Sequence, residues 1–177
     1  MPIIDPASSA LLVIDFQARL MPAIDQSAQR LTNAAHLIRA ADMLGIPRHV
    51  TEQNPRGLGG TVTDLGIPEG AALPKMSFDA LRDPAIAARL EGDAALVVCG
   101  CEAHVCVLQT VLALRARGRQ VHVVADATGS RTEANRQAGL QRMRDHGADI
   151  VTTEMVLFEW LGSAGNAAFK PIIALIK

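Results

Sequence analysis

Three residues combine a reactive side chain with a place at the end of an apolar run. Asp15 follows Ala10-Leu11-Leu12-Val13-Ile14. Lys75 closes the short extended piece Leu73-Pro74-Lys75. Cys106 stands where the apolar segment Ala94 to Cys99, ended by Gly100, gives way to a helix beginning near Val105. A cysteine in the first turn of a helix faces backbone N–H groups and the positive end of the helix dipole, which favour a thiolate. The same N–H groups can hold a developing oxyanion. A carboxylate at a neighbouring strand end would accept the thiol proton, and an ammonium beside them would steady the thiolate and anchor the carboxylate. Lysine usage singles out Lys75: of 17 basic residues only three are lysines, and the other two are Lys170 and Lys177. Taken singly, each residue has a structural reading: an inert buried thiol, a cap for the turn Phe16-Gln17-Ala18-Arg19, a surface lysine. Their shared position at strand ends is what points to a site.

Other chemistries fit less well. Cys99, Cys101, His104 and Cys106 are potential metal ligands, but the first two belong to a strand and no second pair of ligands follows, so no metal is expected. A phosphatase-type cysteine loop requires arginine six positions after the cysteine, where this chain has Leu112. The glycines of Gly57-Leu58-Gly59-Gly60 follow no strand and open no helix, so they are not a nucleotide fingerprint. No cofactor is implied.

The elements that must position these residues alternate between strand and helix. Strands are expected at Ala10–Ile14, Pro47–Thr51, Leu73–Lys75, Ala94–Cys99, Gln120–Ala125 and Ile150–Thr152. Ser27 is expected to cap a helix running to Leu44, Asp83-Pro84 to open one through Leu90, and Ser130-Arg131-Thr132-Glu133 to form a capping box for one reaching His146. Val105 to Arg117 is a further helix, and two short helices close the chain. The stretch from Gln53 to Gly70 carries five glycines and two prolines and reads as a lid or binding loop. Nearly continuous apolar strands separated by helices indicate a parallel sheet covered on both faces. Ligands of such sheets bind beyond the carboxyl ends of the strands.

Composition bounds the function further. A length of 177 residues fits one domain spanning 1–177. A net charge of −1 offers nothing to attract a nucleic-acid backbone or an anionic membrane. No apolar run approaches the ~20 residues of a membrane span, and the first residues lack the basic stretch of a signal peptide. Three cysteines clustered between positions 99 and 106 suggest reduced thiols and a cytoplasmic location. The charged fraction is only 20% and Phe169 to Ile176 is strongly apolar, which points to a homo-oligomer.

The motifs together resemble those of the isochorismatase-like cysteine hydrolases, specifically the isochorismatase domain-containing subgroup. Leu12-Val13-Ile14-Asp15-Phe16-Gln17 matches the family's Asp-x-Gln after the first strand. Lys75, with Ser77-Phe78 behind it, matches the family lysine. Gly100-Cys101-Glu102-Ala103-His104-Val105-Cys106 matches the nucleophile segment, and Thr51-Glu52-Gln53-Asn54-Pro55 with Gly57-Leu58-Gly59 matches the subgroup. The resemblance implies a three-layer α/β/α sandwich with a central, mostly parallel sheet. It implies Asp15, Lys75 and Cys106 as the catalytic triad. It further implies a cis peptide at Cys101-Glu102 and an oxyanion hole from the amides of Glu102 and Cys106. Phe16, Gln17, Gln53 and Phe78 are the expected substrate contacts. Metal-using relatives carry Asp-x-His after the second strand; here that region reads Glu52-Gln53-Asn54-Pro55-Arg56. The implied activity is metal-independent hydrolysis of a small amide or related C–N bond through a thioester on Cys106. Two alternatives are vinyl-ether hydrolysis with Asp15 as acid, and a non-catalytic module holding a redox-sensitive thiol.

Overall fold

A computed structural model describes residues 3–177. Six strands form one all-parallel sheet in the order β3-β2-β1-β4-β5-β6. The strands are β1 (Ser9–Ile14), β2 (Arg48–Gln53), β3 (Leu73–Lys75), β4 (Ala95–Cys101), β5 (Val121–Gly129) and β6 (Asp149–Val151). The helices are α1 (Ser27–Leu44), α2 (Pro55–Leu58), α3 (Pro84–Arg89), α4 (Leu108–Ala116), α5 (Glu133–Asp145), α6 (Thr153–Leu161) and α7 (Phe169–Ile173).

Strand alternation divides the interior into two cores. Leu11 and Val13 of β1, with Val97, Cys99 and Cys101 of β4, pack beneath α1, α6 and α7. Ala10, Leu12 and Ile14, with Leu96 and Val98, pack beneath α3, α4 and α5. The result is the expected α/β/α sandwich. Both central strands are buried along their whole length, which is why their sequences are continuously apolar.

Several boundaries differ from the sequence reading. β2 runs on to Gln53 because its polar end pairs with β3, Glu52 opposite Pro74 and Gln53 opposite Lys75. β5 runs on to Gly129 across a register shift between Val98 and Gly100 of β4. β6 stops opposite Val124, and beyond it side chains satisfy the β5 carbonyls: Arg30 and Asn33 donate to Asp126, and Arg136 to Ala125 and Thr128. Ser27 is the first residue of α1 rather than its cap, which is Gln26 in a left-handed conformation. The cap of α5 is Thr132, whose hydroxyl accepts from the Asn135 amide. Ser130 bonds His104 instead. The glycine-rich loop is fastened rather than free. Ala18, Arg19 and Val62 donate to Gly60, Leu58 and Phe16, and Glu52 accepts from both the amide and the hydroxyl of Thr61.

Candidate active site

The carboxyl ends of β3, β2, β1 and β4, four neighbours in the sheet, meet at one point. β1 stops because Asp15 turns the chain with φ +55, a conformation that aspartate tolerates better than most residues. Its amide donates to the Thr51 carbonyl at 3.1 Å. Its carboxylate is wholly buried. Oδ1 accepts from the Thr51 hydroxyl at 2.7 Å and Oδ2 from Lys75 Nζ at 2.7 Å. Both side chains of the Asp15–Lys75 ion pair are 0% exposed. Charges this deep persist only when paired and hydrogen-bonded, and Lys75 gains a further acceptor in Gln53 Oε1 at 2.9 Å.

Cys106 lies in a π-helical turn, Ala103–Val107, that leads into α4. The amides of Val105 and Val107 both donate to the Glu102 carbonyl. The thiol is buried, and its titration feels the charges of both Asp15 and Lys75. Burial pushes it up to about 12; Asp15 adds to that rise and Lys75 opposes it. Burial thus outweighs the pull of Lys75 toward the thiolate that the sequence reading expected. Cys99 and Cys101 are fully buried and held further above the ordinary thiol range.

The peptide bond Cys101–Glu102 is cis, at the position the resemblance implies. Among the described residues, the Glu102 amide has no backbone acceptor. Its carboxylate, largely buried, accepts from both the amide and Nε of Arg131 at 3.0 Å. Two glycines let these pieces approach. A Cβ on Gly100 would lie 2.4 Å from the Ile14 carbonyl oxygen, so β1 and β4 could not converge below the site. A Cβ on Gly139 would lie 2.9 Å from the Ala103 carbonyl oxygen, so α5 could not rest against the nucleophile turn.

Three expected substrate contacts have structural tasks. Phe16 is 0% exposed in the core beneath α1, on the face of the sheet opposite Cys106, because the turn at Asp15 sends successive side chains to opposite sides. Gln17 binds internally at both ends of its amide: Oε1 accepts from the Gln53 amide, and Nε2 donates to the carbonyls of Gln53 and Gly59. Gln53 holds Lys75 through its oxygen and the Met76 carbonyl through its nitrogen. Phe78 is half-exposed, one residue after Ser77, whose carbonyl lies 3.4 Å from Lys75 Nζ. A cleft of about 480 Å³ opens beside Lys75, lined also by Pro55, Pro74, Met76, Ser77 and Arg82. Among the described residues, no three His, Cys, Asp or Glu side chains converge in a way that could hold a metal ion.

Thr51 and Arg131 escaped the sequence reading. Thr51 lies in β2 opposite Ile14, one residue short of Asp15, and only that register reveals it. Arg131 was hidden inside an apparent capping box.

A six-stranded parallel α/β/α sandwich with an acid, a lysine and a cysteine on adjoining strand ends defines a class of small hydrolases. The chain belongs to the isochorismatase family: the isochorismatase domain model matches residues 9–155. It is 38% identical over 175 residues to isochorismatase domain-containing protein 2A of Mus musculus, covering 97% of this chain and 84% of that protein. The human isochorismatase domain-containing protein 2 is 39% identical with the same coverage. Among solved structures, a protein named MAR1 ribonuclease from Caenorhabditis elegans superposes with a TM-score of 0.90 at 37% identity, covering 99% of this chain and 92% of that one. The octameric YcaC hydrolase of Escherichia coli shares the fold, with a TM-score of 0.86 at 24% identity over 99% and 88% of the two chains.

Proposed function

We propose that this isochorismatase-family hydrolase is a metal-independent cysteine hydrolase of small amides or related C–N substrates. The observation that carries the reading is the buried Asp15–Lys75 pair at the strand ends beside the turn that bears Cys106, whose thiol feels both charges. Asp15 accepts the thiol proton as sulfur attacks the carbonyl carbon, so charge separates only in the course of reaction. The amides of Glu102 and Cys106 hold the oxyanion. As the tetrahedral intermediate collapses, the C–N bond breaks and Asp15 returns the proton to the leaving nitrogen. Water then attacks the thioester, with Asp15 taking its proton and the thiol leaving in its original form. Lys75 pairs with Asp15 and stabilises the transient thiolate. Half-exposed Phe78, three residues after Lys75, is the proposed substrate contact.

Burial of Cys106 weighs against the redox-sensing alternative, since sensor cysteines are accessible. The substrate is a small molecule, and the protein acts as a homo-oligomer; exposed Met76, Phe78, Met155 and Phe158 support association.

Screening a panel of small amides, with mass spectrometry of the protein, tests the reading. An acyl adduct on Cys106 and loss of turnover in Cys106→Ala are expected. Full activity in Cys106→Ala would move the chemistry to Asp15 as an acid on an ether. Because the C. elegans relative is named a ribonuclease, an RNA oligonucleotide belongs in the same panel. Its cleavage with no amide turnover would overturn the proposal.

A further inference from the structure

What orients Asp15 bears directly on the cysteine-hydrolase reading, and the following rests on that reading. Three elements besides its own strand present groups to the Asp15 carboxylate. From β3 comes the ammonium of Lys75, and from β2 the hydroxyl of Thr51. From the end of β4 and the turn after it come the thiols of Cys101 and Cys106, whose titration feels the Asp15 charge.

We propose that Thr51 is a positioning residue for Asp15, gripping the base by its backbone and its carboxylate at once and so aiming it at Cys106. The Thr51 carbonyl accepts the Asp15 amide at 3.1 Å, which fixes the left-handed turn at Asp15. The Thr51 hydroxyl donates to Oδ1 at 2.7 Å while Lys75 holds Oδ2 at the same distance. One contact alone would leave the carboxylate free to rotate about its last bond; two contacts on different oxygens fix its plane. Thr51 is 0% exposed, and among the described residues Asp15 is its hydroxyl's hydrogen-bond partner. A valine would pack in the same strand with nearly the same shape, so strand packing has no need of the hydroxyl.

Thr51→Val, Thr51→Ala, Thr51→Ser and Asp15→Asn are compared with the unaltered protein. The readout is kcat and KM on the best amide of the panel, with the acyl adduct on Cys106 resolved by mass spectrometry. Thermal melts check each variant's fold. Thr51→Val and Thr51→Ala should react about tenfold more slowly at pH 7, in kcat rather than in KM. Thr51→Ser, which keeps the hydroxyl, should stay within about twofold of the unaltered protein. Wild-type kinetics in Thr51→Val and Thr51→Ala, with a slow Asp15→Asn, would overturn the role of Thr51 and leave Asp15 as base intact. A slow Thr51→Ser would assign the effect to lost packing and also overturn it. Wild-type reactivity in Asp15→Asn would overturn the base itself, and the inference with it. Should Thr51→Val fail to fold, the Thr51→Ala and Thr51→Ser pair carries the same comparison.

Discussion

Burial pushes the Cys106 thiol up to about 12. A nucleophile in that state depends on a base within reach. The burial that keeps it neutral also strengthens every charge interaction once the proton has moved. Removing the thiol should therefore lower turnover by about 10⁴–10⁶-fold, and Asp15→Asn nearly as far. Steady-state rates on the best amide of the panel check this, and Asp15→Asn retaining a tenth of wild-type kcat would contradict it. Lys75 carries a second burden. Lys75→Met leaves the buried Asp15 carboxylate uncompensated and should destabilise the fold by about 3–5 kcal/mol. Urea unfolding measures it.

Among the elements, the nucleophile turn and α5 are fitted to each other through Gly139. Glycine inside a helix costs about 1 kcal/mol relative to alanine, so its presence in α5 reflects the contact with Ala103 and His104. Gly139→Ala improves the helix and pushes it off the turn. Stability should change by less than about 1 kcal/mol, because the two effects oppose each other, while turnover drops as Cys106 shifts. Equal activity with unchanged stability would show that the turn tolerates displacement. Gly100→Ala has no such offset. Its Cβ meets backbone and Cβ atoms of Ile14, and it should destabilise the protein by about 3 kcal/mol, read by chemical denaturation.

On the scale of the whole molecule, pH and the C-terminal segment are the informative variables. His122 is 1% exposed, and burial lowers its pKa from 6.5 against the opposing pull of Asp149 at 3.2 Å. His36 and His49 move the same way, each mainly through burial. The folded state thus binds fewer protons than the unfolded chain. The stabilisation is full above about pH 6.5 and is lost as pH falls below it, through the lowered folded-state values. Thermal midpoints should decline from pH 7 to pH 5, and His122→Gln should flatten part of that slope. The segment after Ala168 folds back on its own protomer: Ile172 is buried, and Phe169, Ile173 and Ile176 pack on the same core. Truncation before Phe169 should expose that core and produce aggregation in light scattering. A soluble truncated chain of unchanged mass would show that the segment is dispensable.

Asp15, Lys75 and Cys106 were legible in the sequence because an ionisable residue ending an apolar run is an anomaly visible without coordinates. The continuous apolar strands also declared a parallel sheet, since burial on both faces leaves no alternation. Strand order and register were decided by tertiary structure. They place Gln53 beside Lys75 and Thr51 against Asp15, and turn Gln17 and Gln53 from substrate contacts into supports for the lysine and its loop. They also send Phe16 into the opposite core, because side-chain direction at a turn depends on a φ angle that the sequence does not display. The protonation of Cys106 belongs to the structure for the same reason. The helix terminus and the lysine are local and readable, whereas the desolvation that outweighs them is set by everything packed around the thiol.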